Sequence, residues 1–435
     1  MNLTIKTQNG ILKGFSVDGV RKFFGIPYAA APIGENRFRR TRPAENWEGT
    51  LEATDFGPKC PQLAIPINPD DGKPQSEDCL YMNIWAPAEG ENLPVMVWTY
   101  GGSFSSGAGS DELYDGTNYV KRGNVILVTF NYRVGMFGTF FDMSRFSVLE
   151  GKYDANAGLY DVIEALRWIR SNIAAFGGDP DNVTIFGESA GANLTAAVYA
   201  IPDAADLYSK AILESYIDTD ALRNPESKND AKFIEALGLD ESNADEMLTK
   251  STEEILGAFS AMCGGNILAA GAGIVNDGYY VNAPINELLA KRGSSKKLLT
   301  GNNKDEAVIF LPPHEGWNNE LAAMKDGMTK KFFVDFNNEF ARTASQTDDV
   351  WMYRFDYAPL GAQMSHMGAF HSSEMIYVFG NFNVGMAAII KGCEEQAAKV
   401  SNEMQDAWLR FAATGDPGWD MADSNLEPVH IFDAK

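Results

Sequence analysis

The sequence predicts an α/β protein: one mostly parallel, twisted sheet flanked by helices. Three observations lead there. Four apolar runs, Leu80 to Trp85, Val95 to Tyr100, Val125 to Tyr132 and Val183 to Phe186, are nearly continuous instead of alternating, as strands covered on both faces are. Between the third and fourth, the apolar residues Leu159, Val162, Ile163, Leu166, Ile169 and Ile173 keep the helical period. The fourth run then enters Gly187-Glu188-Ser189-Ala190-Gly191, and an alanine-rich helical segment, Ala192 to Ala200, leaves it. Strand, helix, strand, tight turn and helix make βαβ units with right-handed crossovers.

Taken in order, residues 10–28 read as an antiparallel hairpin through Val17, Val20, Phe23 and Phe24. Its turn, Asp18-Gly19, has residues that tolerate positive φ. The helix from Leu159 to Phe176 stops at Gly177-Gly178-Asp179-Pro180, glycine serving as the C-cap and proline blocking continuation. Weaker strands follow at Ala211 to Leu213, Lys297 to Thr300 and Val350 to Tyr357. The charged and amide-rich stretch 218–261 reads as surface helices inserted beside the sheet. A last helix, Glu394 to Ala413, is closed by Gly415-Asp416-Pro417-Gly418. With no repeat or long linker, 1–435 reads as a single domain with insertions.

The 435 residues are long enough for a large core, and a formal net charge of −23 argues against nucleic acid or an anionic membrane as partner. No run is apolar for long enough to span a bilayer. The start, Met1-Asn2-Leu3-Thr4-Ile5-Lys6-Thr7, lacks the features of a signal peptide, so the expected location is cytoplasmic, with secretion only if a signal has been removed. Four cysteines without a C-x-x-C pair do not form a disulfide scaffold or a zinc site. No cofactor or metal is expected, and the sequence sets no oligomeric state.

A G-x-S-x-G between a strand and a helix is a nucleophile elbow: the turn strains the serine backbone and lifts its hydroxyl over the sheet edge. Ser189 needs a general base, and the chain has only four histidines. The chain order of this architecture is serine, acid, histidine. His430 lies near the terminus with no strand before it, and His314 follows the candidate acids too soon. His366 and His371, both after the Val350–Tyr357 strand, remain. Asp305 and Glu306 are the candidate acids, whereas Asp277 precedes the relevant strand and falls at its wrong end. Oxyanion donors are expected from the Ala190 N–H and from the glycine-rich loop Tyr100-Gly101-Gly102-Ser103-Phe104.

These segments, with Gly25-Ile26-Pro27-Tyr28-Ala29-Ala30, Ser76-Glu77-Asp78-Cys79-Leu80-Tyr81-Met82-Asn83-Ile84-Trp85 and Asn131-Tyr132-Arg133-Val134-Gly135, run over nearly the whole chain. Phe176-Gly177-Gly178-Asp179-Pro180, Asn302-Asn303-Lys304-Asp305-Glu306 and Gly368-Ala369-Phe370-His371 complete the set. Together they resemble the type-B carboxylesterases, the branch of the α/β-hydrolases that includes the cholinesterases. The resemblance implies the α/β-hydrolase fold with a reduced helical cap, in segments around 218–261 and 307–348. It implies Ser189 as nucleophile, Glu306 as acid and His371 as base, against Asp305 and His366. It further implies oxyanion donors at Gly102, Ser103 and Ala190, a supporting role for Glu188 beside the nucleophile, and an Arg37–Glu77 ion pair. Ser103 and Ala307 stand where many members have glycine. The resemblance puts the family's first disulfide on Cys60 and Cys79, and the sequence leaves open whether they are bonded or, in a reducing compartment, two buried thiols; Cys263 and Cys393 are expected as buried free thiols.

The expected activity is serine-dependent hydrolysis of small-molecule carboxylic esters through an acyl-enzyme. Between Cys60 and Cys79 there is no Phe, Trp or Tyr to face a quaternary ammonium, which argues against choline esters. Small neutral esters with short to medium acyl chains are the preferred class. The second reading is a non-catalytic binding module of the same family; a third puts the same acyl chemistry on thioesters, amides or carbamates.

Overall fold

A computed structural model describes residues 3–64, 71–217, 229–266, 270–312 and 316–434. Its centre is a twelve-stranded sheet. Strands β1 (Leu3–Lys6), β2 (Ile11–Val17), β3 (Val20–Pro27) and β4 (Thr50–Glu52) come from the N-terminal segment. Asp18 and Gly19 both take positive φ, 52° and 79°, the geometry of a two-residue hairpin turn, and β2 and β3 pair antiparallel around it. The apolar runs become β5 (Tyr81–Pro87), β6 (Leu93–Thr99), β7 (Ile126–Phe130) and β8 (Gly178–Glu188). Then follow β9 (Lys210–Glu214), β10 (Lys297–Asn303), β11 (Asp349–Phe355) and β12 (Val429–Phe432).

The order across the sheet is β1-β2-β3-β5-β7-β6-β8-β9-β10-β11-β12, with β4 beside β2. From β7 to β12 every pairing is parallel, while β5 is antiparallel to both neighbours. The apolar run at Tyr81–Pro87 therefore belongs to the antiparallel part: burial on both faces gives a continuous apolar run whatever the strand direction. Two further corrections concern ends. Gly177 caps its helix at φ 93° as expected, but Gly178-Asp179-Pro180 already belong to β8. His430 sits inside a short strand, β12, paired with β11, and not in a strandless tail.

Helices cover both faces. In chain order they are α1 (Thr117–Gly123), α2 (Ala157–Asn172), α3 (Ala190–Ala200), α4 (Asn229–Ala236), α5 (Thr252–Met262) and α6 (Ile285–Lys291). After these come α7 (Asn319–Thr329), α8 (Asp335–Ala344), α9 (Leu360–Met364), α10 (Met375–Phe379) and α11 (Glu394–Thr414). Helix α5 starts where it does because Ser251 and Glu254 form a reciprocal capping box. Among the described residues no helix is long and apolar enough to cross a membrane.

Two ion pairs, one buried and one partly buried, hold the loops that frame the sheet's C-terminal edge. Arg133, in the loop after β7, donates Nε and Nη2 to the two oxygens of Asp161 on α2, each at 2.8 Å. Arg37 donates to both oxygens of Glu77 at 2.6 and 2.7 Å and also to the carbonyls of Leu248 and Lys250 ahead of α5. Glu77 in turn accepts from the Thr252 hydroxyl, so the expected pair also ties the inserted helices to the body. Cys60 and Cys79 are two buried free thiols. Cys263 is a buried free thiol as expected, whereas Cys393, at the start of α11, is only half-buried.

Candidate active site

Residues that follow or end β6, β8, β10 and β11 line one cavity of about 280 Å³. Ser189 follows β8 directly, at φ 56° and ψ −125°, a conformation a serine adopts only when its surroundings over-determine it. Gly191 shows the constraint: a Cβ there would lie 2.0 Å from the Thr99 carbonyl oxygen, so only glycine lets α3 start this close to β6. The Ser189 amide donates to the Glu214 carbonyl at 3.0 Å, which pins the elbow to β9.

His371 brings the site together. Its Nε2 lies 2.8 Å from Ser189 Oγ and its Nδ1 2.6 Å from Glu306 Oε2. Glu306 is fully buried, and its other oxygen accepts from the Asn303 amide at 2.7 Å and the Ser215 hydroxyl at 2.5 Å. The imidazole ring packs against Phe310 and Phe333, centroids 5.3 and 5.2 Å away. Burial works against its protonated form, but Glu188 and Glu306 outweigh burial and raise its pKa above the ordinary histidine value.

Glu188 reaches His371 Nε2 with Oε1 at 3.2 Å, and the same oxygen accepts from the Ser372 hydroxyl at 2.6 Å. Burial raises its pKa; a charged His371 and the Ser372 hydrogen bond work the other way.

The loop after β6 is held at two points. Tyr100 and Tyr132 stack at 4.3 Å, and each hydroxyl donates to the other residue's carbonyl, at 2.9 and 2.8 Å. Gln62 brackets Gly107, accepting its amide and donating to its carbonyl. Gly102 and Ser103, at φ 103° and 54°, line the same cavity as Ser189 and His371. Among the described residues neither of their amides donates to a backbone carbonyl. The Ala190 amide, in the first turn of α3, has no intrahelical acceptor.

The other candidates lie elsewhere. Asp305 turns away from Ser189: it accepts from the Ala369 amide and pairs with Lys325. His366 stacks on Trp317. His430 contacts Glu403 and stacks on Trp419. Asp277 accepts from Asn156 and Tyr160 near the start of α2. His314 lies outside the described residues. The sequence reading missed Ser215, Asn303 and Glu374, whose carboxyl accepts from Asn303 Nδ2. Ser215 had one available signal, its place one residue beyond a strand that ends level with the elbow. Among the described residues no group of His, Cys, Asp and Glu side chains is arranged to hold a metal ion.

The arrangement can pass a proton from a hydroxyl to an imidazole that a buried carboxylate orients, beside amides free to receive developing negative charge. The model of the carboxylesterase family matches residues 1–335 and 317–431. A para-nitrobenzyl esterase of Bacillus subtilis (strain 168) is 37% identical over 451 residues, covering 95% of this chain and 90% of that protein. A fumonisin B1 esterase of Sphingopyxis macrogoltabida is 33% identical over 452 residues, covering 94% and 82%. Among solved structures, a PNB esterase is similar with a TM-score of 0.87 at 35% identity, covering all of this chain and 96% of the other. A carboxylesterase of Geobacillus stearothermophilus is similar with a TM-score of 0.86 at 32% identity, covering 99% and 96%.

Proposed function

Since the chain belongs to the carboxylesterase family and carboxylic ester hydrolysis is its activity, we propose that the reaction runs through Ser189 as nucleophile, His371 as general base and Glu306 as its orienting acid. One observation carries this reading: Nε2 of a single buried imidazole lies 2.8 Å from Ser189 Oγ while its Nδ1 lies 2.6 Å from Glu306. Ser189 Oγ attacks the ester carbonyl as its proton passes to His371 Nε2. Glu306 accepts from Nδ1–H and stabilises the imidazolium. The amides of Gly102, Ser103 and Ala190 receive the oxyanion. Collapse of the tetrahedral intermediate breaks the ester C–O bond, and the Nε2 proton goes to the departing alcohol. Water then attacks the acyl-enzyme and gives a proton to His371; the acyl–Oγ bond breaks, Nε2 returns that proton to Ser189 Oγ, and the acid leaves.

For the substrate, we favour small neutral esters with short to medium acyl chains. The cavity is mostly apolar, with Ile309, Phe310, Met367, Phe370 and Met375 on its walls, and its volume of about 280 Å³ suits a short chain. We also take the chain as one domain whose described residues 229–261, 307–312 and 316–348 form the cap, residues 218–228 of the expected segment lying outside the described residues; Phe310 and Phe333 pack on His371. The relatives named as esterases lend no support to a binding-module reading.

The test is hydrolysis of p-nitrophenyl esters from acetate to palmitate by the parent and by Ser189→Ala. The variant is expected to lose about four or more orders of magnitude in kcat with an unchanged circular dichroism spectrum. Full activity in the variant would remove Ser189 from the mechanism. A rate rising steadily to palmitate would overturn the acyl-chain preference.

A further inference from the structure

Around His371 the fold buries four carboxyl groups, Glu188, Glu214, Glu306 and Glu374, and among the described residues no lysine or arginine pairs with any of them. Glu306 and Glu188 contact the imidazole. Glu214 does not, yet it stands at a junction. It is the register partner of Glu188 in the adjacent strand, and its carbonyl receives the Ser189 amide. The next residue, Ser215, donates to Glu306. Its own carboxyl is fully buried: Oε1 accepts from Trp408 Nε1 at 2.9 Å, and Oε2 has no hydrogen-bond partner within the protein.

The surroundings of that carboxyl can be named element by element. Glu188 faces it from β8, Tyr353 from β11, Tyr119 from α1 and Trp408 from α11, and Glu374, from the loop after His371, is also within its electrostatic reach. The hydroxyls of Tyr353 and Tyr119 and Oε1 of Glu374 are likewise buried without a protein partner. Nothing in this set is a cation except His371 when protonated. One imidazolium can balance the carboxylates it touches; a further buried negative charge would have neither a partner nor enough donors. Burial accordingly pushes Glu214 up to about 8, the Trp408 hydrogen bond opposing and Glu188 adding, and pushes Glu374 well above its ordinary value.

We propose that Glu214 is a positioning residue of the esterase site, acting as an uncharged carboxylic acid that packs beneath the Glu188–Ser189 elbow and leaves His371 free to give up its proton. This rests on the reading in which Ser189 and His371 carry the reaction. The physical argument is one of sign. A charged carboxylate facing Glu188 would add to the negative field that already favours the imidazolium, and a histidine held protonated in the resting enzyme is no base. Uncharged, Glu214 supplies a buried hydrogen-bonding group at the foot of the elbow without that penalty.

The test uses Glu214→Gln, which keeps the shape and removes the ionisable group, and Glu214→Leu, which removes the hydrogen bonding too. Infrared spectra of the whole protein near neutral pH are expected to show a protonated-carboxyl C=O band that Glu214→Gln abolishes. The acid limb of kcat/KM against pH is expected to stay in place in Glu214→Gln. Glu214→Leu is expected to lose roughly fivefold or more in kcat relative to Glu214→Gln at similar KM. Absence of the band, an acid limb displaced to lower pH in Glu214→Gln, or equal kcat in the two variants would each overturn the proposal. If Glu214→Leu does not fold, the band and the acid limb still decide. The infrared reading is repeated in Ser189→Ala, so a failure of the nucleophile assignment shows as retained activity there and is separate from the fate of the band.

Discussion

Gly191→Ala is the sharpest test of how the elbow is built. An added Cβ would lie 2.0 Å from the Thr99 carbonyl oxygen and 2.6 Å from that of Tyr100. Both are backbone atoms, so no side chain can swing away. Reaching even the tightest real contact, 3.0 Å, requires a displacement of at least about 1 Å. Strand β6 cannot supply it, because Thr99 is paired with Gly187 of β8 and Trp98 with Thr129 of β7. The start of α3 must move instead, and Ser189 moves with it. Overpacking of this kind costs about 1–3 kcal/mol of stability. A 1 Å misplacement of a reacting group costs about 10²-fold in kcat. The assay pairs urea denaturation with p-nitrophenyl acetate kinetics on the same preparation. Gly257→Ala is the control, since a Cβ at that helical position meets nothing within 4 Å. It is expected to gain about 0.5–1 kcal/mol at unchanged kcat. Retention of kcat within about threefold in Gly191→Ala would refute the claim that contact with β6 sets the position of Ser189.

The remaining predictions concern charge. Glu188 and Glu306 hold the His371 pKa above its ordinary value against burial, so the acid limb of kcat/KM is expected above pH 6.5. Glu188→Gln is expected to move that limb to lower pH; a move upward would contradict the assignment. Stability should also report Glu214. An acid raised to about 8 in the folded state binds its proton more tightly folded than unfolded, so its contribution is complete below the unfolded value and is lost as pH rises through 8. Relative to Glu214→Gln, the parent is therefore expected to lose stability between about pH 5 and pH 8.5, by an amount approaching about 4 kcal/mol. Urea denaturation at both pH values measures it, and a difference of opposite sign would refute the buried-acid reading. Finally, Arg37→Ala leaves Glu77 mostly buried without its bidentate partner and releases the carbonyls ahead of α5. A loss of about 3 kcal/mol is expected in thermal or chemical denaturation, and a loss below about 1 would show the pair to be marginal.

Features written into local chemistry were legible in the sequence. The Asp18-Gly19 turn, the helical period of α2 and the glycine-flanked serine each carry their constraint within a few residues, and the structure has each of them. Strand direction was not legible. A run buried on both faces looks the same whether its neighbours are parallel or antiparallel, which is why Tyr81–Pro87 could not be separated from the parallel strands. The choices between Asp305 and Glu306 and between His366 and His371 were equally closed to local argument. Adjacent acids on one turn differ only in which way the turn faces, and here Lys325 and Ala369 draw Asp305 to the other side. Ser215, Asn303 and Glu214 were missed because single polar residues at strand ends have no pattern of their own; only the ladder that aligns β8, β9 and β10 gives them meaning.

That ladder has a consequence for how such a site can change. From β8 onward each new strand is laid outside the one before, and the nucleophile, Ser215, the acid and the base follow successive strand ends. The strand ends that carry them are therefore spaced by the interstrand distance, roughly 4.8 Å per strand, set by backbone hydrogen bonds, and the loop after β11 brings His371 back to within 2.8 Å of Ser189. Chain added or removed between these strands, outside the short stretches that carry Glu306 and His371, emerges at the rim without altering the spacing of the strand ends beneath the site. The fold thus separates two kinds of variation, letting the walls of the cavity be rewritten residue by residue over a chemistry that stays in register.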